Sequence, residues 1–320
     1  MKPVIKVLVL AAVVCLSPQL AAAQQDDGQK AVLITGASSG IGRNMAETLA
    51  REGYYVYAGA RKQADIDALS AIDNITGIQL DVNEQEEIDA AVEFVRAQGR
   101  GLYGLVNNAG VAIIAPLIEV DEDDLFFQMN VNVFGPYRVT KAFAPLIIGS
   151  KGRITTTGSI SGILSGTLFG PYSMSKHAIE AYTDSLAREM HKFDVQVSVI
   201  EPGNYKSSIV DSLIRRMESR GQHFEDSLYR EELERMMGGL SGIDEDKEPD
   251  EVSAALLDFL SDPNPKRRYM VVPNQGQAEI TIRKAISELT QLNERQAYTY
   301  SRDELVGLLD EALAALEGEQ

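Results

Sequence analysis

Ala31-Val32-Leu33-Ile34-Thr35-Gly36-Ala37-Ser38-Ser39-Gly40-Ile41-Gly42 is the stretch that decides the fold. Four apolar residues run into a glycine-rich turn, and a helical period then begins with Ile41, Met45 and Leu49. A strand, a turn and a helix in that order present a helix N-terminus whose unpaired N–H groups and dipole favour an anion. Glycines let the backbone turn sharply and let a pyrophosphate come close. The spacing is G-x-x-x-G-x-G rather than G-x-G-x-x-G. Gly36, Ser38, Gly40, Ile41 and Gly42 are therefore the expected phosphate-binding residues.

Outward from this unit, short β-rich runs alternate with helical periods. Strands are expected at 31–35, 54–58, 77–80, 105–106, 153–157, 195–200 and 269–272. Most are apolar throughout, as strands buried on both faces should be. Between them lie helical stripes such as Ile88, Ala91, Val92 and Val95. The pattern predicts an α/β fold: a doubly wound, Rossmann-like parallel sheet with helices on both faces. One catalytic domain is expected over 31–272, after a leader at 24–30. A polar, glycine-punctuated segment at 207–248 reads as a lid or as an inert surface insertion. The extension at 273–320 ends in a helix with Ser301 as N-cap, Glu304 completing a capping box, and Leu305, Leu308, Leu309, Ala312, Leu313 and Leu316 on one face. That stripe should dock on its own domain or on a second subunit.

The 320 residues are 44% hydrophobic and carry a net charge of −17, which disfavours nucleic acid and anionic lipid as partners. The one basic cluster, Lys266-Arg267-Arg268, reads as a solvated turn. Cys15 and the scattered His177, His191 and His223 offer neither a disulfide framework nor a metal-ligand set. Residues 1–23 have a basic start, an apolar stretch over Val7 to Leu16 and a small-residue site at Ala21-Ala22-Ala23. They read as a cleaved signal peptide, with export to the periplasm or the medium; a retained N-terminal membrane anchor is the alternative. No stable membrane span is expected in the mature chain.

At the end of the second strand, Tyr57-Ala58-Gly59-Ala60-Arg61 lacks the acid that would hold an adenosine 2′-OH and has an arginine instead. This favours NADP, with NAD possible, unless Arg61 is an ordinary solvated charge. Asp81-Val82 closes the third strand and either meets the adenine or caps the next helix. Tyr172 and Lys176 lie four apart on one helix face, where an ammonium would stabilise a phenolate. Ser159, thirteen residues before the tyrosine, can donate a hydrogen bond to a substrate oxygen.

These residues, with Asn107-Asn108-Ala109-Gly110 and Pro202-Gly203, resemble the short-chain dehydrogenase/reductase family from about Ala31 to Val272. The stretch from Ile200 to Ser207 looks most like its hydroxysteroid and retinol dehydrogenase branch. The resemblance implies that Tyr172 is the general acid or base and that Ser159 orients the substrate oxygen. Lys176 would lower the tyrosine pKa and bind the nicotinamide ribose, while Asn132 would hold a proton-relay water near it. Asn108, Pro202, Gly203 and Ser207 join the cofactor site, Ser207 standing where the family has threonine.

The expected activity is hydride transfer between NADP and a small-molecule secondary alcohol or ketone. Ile163, Leu164, Leu168, Phe169, Met217, Phe224, Met236 and Met237 suit a bulky apolar, steroid- or retinoid-like substrate. A homo-oligomer is expected from the resemblance. The rival is a dinucleotide-binding sensor or scaffold without turnover.

Overall fold

Every residue of the first strand, β1 (Ala31–Ile34), is buried, a pattern that requires cover on both faces of a sheet. A computed structural model of the chain describes residues 28–221, 224–240 and 247–318. The signal-like segment, Cys15 and His223 lie outside the described residues.

After β1 come α1 (Gly40–Arg51), β2 (Tyr55–Ala60), α2 (Gln63–Ser70), β3 (Ile75–Gln79), α3 (Gln85–Ala97) and β4 (Gly104–Asn107). Helix α4 (Glu122–Met129) passes through a π-helical turn, Asn130–Phe134, into α5 (Gly135–Gly149). The chain continues through β5 (Arg153–Thr157), α6 (Gly170–Met190), β6 (Gln196–Pro202), α7 (Ile209–Ser219) and α8 (Arg230–Leu240). It ends with α9 (Asp250–Ser261), β7 (Arg268–Val271), α10 (Gln275–Asn293) and α11 (Arg302–Gly318).

The seven strands form one sheet in the order β3-β2-β1-β4-β5-β6-β7. Every pairing is parallel. The strand order reverses between β1 and β4, where a crevice opens at the carboxyl ends of the strands. Two apolar layers cover the sheet. Ile88, Val95, Val139, Phe143 and Ile147 from α3 and α5 pack on one face. Met45, Leu49, Ile66, Leu69, Leu256 and Phe259 from α1, α2 and α9 pack on the other. The strands expected from sequence all appear, with ends shifted by one or two residues.

The 207–248 segment supplies α7 and α8. Leu213, Met217 and Leu233 pack with Ile114 and Leu168 in a third, smaller apolar cluster. A buried ion pair fastens α7: Asp124, at the start of α4, meets Arg216 at 2.6 Å and Arg220 at 3.3 Å.

One expectation needs correction, and for another the structure sets aside one of two alternatives. Lys266-Arg267-Arg268 is not a free solvated turn, because Arg268 begins β7 and its guanidinium meets Asp184 at 2.8 Å and Glu180 at 3.3 Å. The stripe of α11 does not dock on its own domain: Leu308, Leu309, Leu313 and Leu316 are all exposed. Its capping box does form, with Ser301 N–H donating to Glu304 Oε2 at 2.7 Å and Glu304 N–H to Ser301 Oγ at 3.3 Å. No helix among the described residues is long and apolar enough to cross a membrane.

Because four of the five leucines of the α11 stripe are exposed and only Leu305 is half-buried, deleting residues 301–320 is expected to leave the thermal midpoint of a dilute sample unchanged. Calorimetry on the intact and truncated chains measures this. A fall of several degrees would show that the helix supports the domain fold.

Candidate active site

The carboxyl ends of β1, β4 and β5 are tied by polar side chains. Asn108, just after β4, donates from Nδ2 to the carbonyls of Thr35 and Gly36 at 3.0 and 3.2 Å. Its Oδ1 accepts from the Thr157 hydroxyl at 3.2 Å. Thr35 Oγ1 accepts the backbone N–H groups of Asn108 and Ala109, each at 3.0 Å. Against this tie the glycine loop fits with no room to spare. Gly36 and Gly40 have positive φ, at 65° and 54°, which side chains disfavour. A Cβ at Gly36 would meet Ala109 Cα at 2.8 Å, and one at Gly42 would meet the Gly36 carbonyl oxygen at 2.4 Å. The loop's glycines are thus required by the chain's own backbone as well as by any phosphate. At the head of α1, Ser39 is extended and makes no side-chain cap bond.

A cavity of about 400 Å³ runs from this helix start across the strand ends. It is lined by Gly36, Ser38, Gly40, Ile41, Gly42, Arg61, Asp81, Val82, Asn108, Ser159, Tyr172, Lys176, Pro202, Gly203 and Ser207. Every site residue expected from sequence therefore faces one space, except Asn132.

At the deep end of the cavity, Lys176 Nζ donates to the Thr157 carbonyl at 2.8 Å and lies 5.6 Å from the centroid of the Tyr172 ring. Burial lowers the Lys176 pKa to about 8, opposed by the charge of Glu180 on the next turn of α6. Tyr172 is partly open to the cavity, yet desolvation raises its pKa, and a hydrogen bond with Ser159 works the other way. Ser159 Oγ accepts the Ser161 N–H at 3.0 Å, which leaves the hydroxyl hydrogen for the phenol. Lys176 is not among the groups that move this tyrosine in the free protein. The phenol has lost water, and Lys176 gives one of its three hydrogens to Thr157.

Asn132 sits in the π-helical turn and lines no part of the cavity. Its Nδ2 donates to the Val111 carbonyl and Ser175 Oγ at 3.0 and 3.1 Å, and its Oδ1 accepts the Val111 N–H at 2.9 Å. Both amide hydrogens are used, so the side chain does not donate to a relay water. It fixes the loop after β4 against α6. Gln128 does the same, accepting the Ile113 N–H at 2.6 Å and donating to Val111 at 2.9 Å. The sequence reading missed Gln128, Ser175, Thr35, Thr157 and also Gln277, whose Oε1 accepts the Asn204 N–H at 2.8 Å. Their signals are single polar residues at strand ends or mid-helix, which no local pattern marks.

On the adenosine side, Arg61 is 67% exposed and 3.9 Å from Asp81. Asp81 Oδ1 accepts the Asn83 N–H at 2.9 Å, so it braces the turn into α3 while lining the cavity. On the substrate side, Leu168, Phe169, Met217, Phe224, Met236 and Met237 belong to the third apolar cluster. Ile163 and Leu164 are not part of it. Of the eight apolar residues expected near the substrate, only Phe169 lines the cavity.

Comparison with known proteins agrees with this geometry. A family model for short chain dehydrogenases matches residues 30–218. The mitochondrial D-beta-hydroxybutyrate dehydrogenase of Bos taurus is 39% identical over 188 residues, which cover 56% of this chain and 55% of that protein. The 3beta-hydroxysteroid dehydrogenase dhs-16 of Caenorhabditis elegans is 36% identical over 230 residues, 64% of this chain and 59% of that protein. The chain thus spans little more than half the length of these two relatives. Among solved structures, a short-chain dehydrogenase from Streptomyces avermitilis superposes with a TM-score of 0.72 at 28% identity, covering 84% of this chain and 96% of that one.

Gly42→Ala is expected to cost about 1–3 kcal/mol, because the new methyl has only backbone and the hydrogen-bonded, half-buried Asn108 amide to displace. Gly149→Ala, where nothing lies within 4 Å of the added Cβ, is the neutral control. Urea midpoints of the two variants measure the difference, and equal midpoints would contradict the tight packing of the loop.

Proposed function

The chain belongs to the short-chain dehydrogenase family, and from that premise we propose that it is an oxidoreductase acting on secondary alcohols or ketones with a nicotinamide dinucleotide. The observation that carries this reading is the meeting of Ser159, Tyr172 and Lys176 in the same cavity that begins at the uncapped, glycine-framed start of α1. A pyrophosphate suits that end, since the first-turn N–H groups there have no side-chain cap. Lys176, Gly203 and Ser207 would hold the nicotinamide half. When bound, the dinucleotide supplies or accepts the hydride. The protein then supplies position and proton traffic.

Tyr172 is the proton carrier at the substrate oxygen. Its raised pKa keeps the phenol protonated in the free protein, the form that gives a proton to a ketone. Ser159 polarises the same oxygen, and Lys176 provides positive charge on the far side. For alcohol oxidation the phenol must first lose its proton, so that direction should speed up as pH rises.

NADP is the preferred dinucleotide in this reading. An exposed guanidinium at the end of β2, with no carboxylate on that strand, receives a 2′-phosphate better than a hydroxyl. Ile114, Phe169 and Leu213, where the apolar cluster under α7 and α8 reaches the cavity, support a bulky apolar substrate, steroid- or retinoid-like. The uncovered leucines of α11 support a homo-oligomer. Export after removal of residues 1–23 rests on the sequence alone, and N-terminal sequencing of the native protein tests it.

Tyr172→Phe should keep dinucleotide affinity and lose turnover by about 10²- to 10⁴-fold, the usual worth of a positioned acid-base group. Steady-state rates and dinucleotide titration on one preparation decide it, and near-normal turnover would remove Tyr172 from the reaction. Arg61→Asp should reverse the preference between NADP and NAD. Tighter binding of NAD than of NADP by the wild type would already contradict the role given to Arg61.

A further inference from the structure

Two carboxyl groups lie side by side beneath the loop that carries Ser159, and the reaction above uses neither. Glu180 follows Lys176 by one turn of α6, and Glu201 is the penultimate residue of β6 and only 2% exposed. Both oxygens of Glu180 and Oε1 of Glu201 are buried without a hydrogen-bond donor. The nearest cation is Arg268, 3.3 Å from Glu180 Oε2 and 3.5 Å from Glu201 Oε1. The pair is packed tightly under the loop: a Cβ at Gly162 would fall 2.8 Å from Glu180 Oε1, and one at Gly158 would fall 3.1 Å from it.

The charged groups facing the pair are Lys176 and Asp184 from α6 and Arg268 from β7. Asp184 is itself paired with Arg267 and Arg268, so Arg268 is shared among three acids. Two desolvated carboxylates with a fraction of one cation cannot both stay ionised at low cost. A proton held between them satisfies one orphaned oxygen of each carboxyl group. Burial, reinforced by the Glu180 charge, pushes Glu201 up to about 8, and burial also raises Glu180.

We propose that Glu180 and Glu201 share one proton and hold one negative charge behind Lys176, and that this charge sets the pH at which the Tyr172–Lys176 pair gives up its proton. The second clause rests on the function proposed above; the first does not. Both glutamates are positioning residues, since neither touches the cavity. Deprotonation takes the Tyr172–Lys176 pair from a charge of +1 to zero, and a neighbouring negative charge opposes that step. Moving the charge away therefore lowers the pH of the transition. Glutamine imitates a protonated glutamate, so each single variant fixes where the charge sits. E180Q confines it to Glu201, on which Lys176 has no resolved influence, whereas E201Q confines it to Glu180, one helical turn from Lys176 and within its influence.

The two single variants should consequently behave differently. E180Q is expected to shift the transition down by about 0.5–1 pH unit, and E201Q to leave it in place or raise it. The transition is read in kcat/KM for alcohol oxidation. It is also read without turnover, in the tyrosinate absorbance of each protein minus that of its Tyr172→Phe counterpart. Equal shifts in both variants, or none in E180Q, would overturn the charge-setting role. The shared proton has its own readout. An acid whose folded pKa is raised stabilises the fold fully below its ordinary value of 4.5. That stability is lost as pH rises through about 8. The wild type should therefore lose more melting temperature than E201Q between roughly pH 6 and 9. Parallel melting of the two proteins would overturn the shared proton whether or not a substrate is in hand.

Discussion

The site depends on the side chain of Asn108. With two donations to the β1 end and one acceptance from β5, it ties together three strands that would otherwise close their ladders in bare carbonyls. Thr35 completes the tie from the other side. Drawing the Gly36 carbonyl toward β4 leaves the glycine loop pressed against Ala109, and only glycine fits at 36 and 42. The crevice at the reversal of strand order follows from that geometry, since β1 and β4 diverge into loops of opposite direction just beyond the clasp.

The same strand ends set the electrostatics. Thr157 gives its hydroxyl to Asn108 and its carbonyl to Lys176, so one residue of β5 links the phosphate end of the cavity to its chemical end. The cost of burying an ammonium here is partly offset by that carbonyl and by the acids behind it. Tyr172 loses water in the same enclosure, which raises its pKa while that of Lys176 falls to about 8, so in the free protein the ammonium is the more acidic of the two. On the open side, α7 stays in place through Asp124, a buried acid with two arginines, and through the stacking of Arg216 at 3.9 Å over Phe127.

The parts of this arrangement visible in the sequence are those with local signatures. β1 and its glycine turn combine a fully apolar run with a spacing that few other structures need, and Tyr172 and Lys176 share a helix face by arithmetic. The supporting shell has no such signature. Asn108 and Asn132 are both asparagines in short polar stretches, yet one clasps the phosphate loop and the other braces the loop after β4. Arg268 looked like part of a solvated basic turn because its three acids come from α6 and β6, 67 to 88 residues earlier in the chain. The α11 stripe was legible as amphipathic, but periodicity says only that a face is apolar and nothing about what covers it.

In the proposed function, one continuous cavity holds a nicotinamide dinucleotide from the start of α1 to Tyr172. A crystal structure grown with saturating NADP tests it most directly. Pyrophosphate density is expected over Gly36 to Gly42 and nicotinamide density between Lys176 and Ser207, with its C4 atom on the side that Ser159 and Tyr172 face. Dinucleotide density elsewhere on the chain, or a nicotinamide ring turned away from Tyr172, would contradict it.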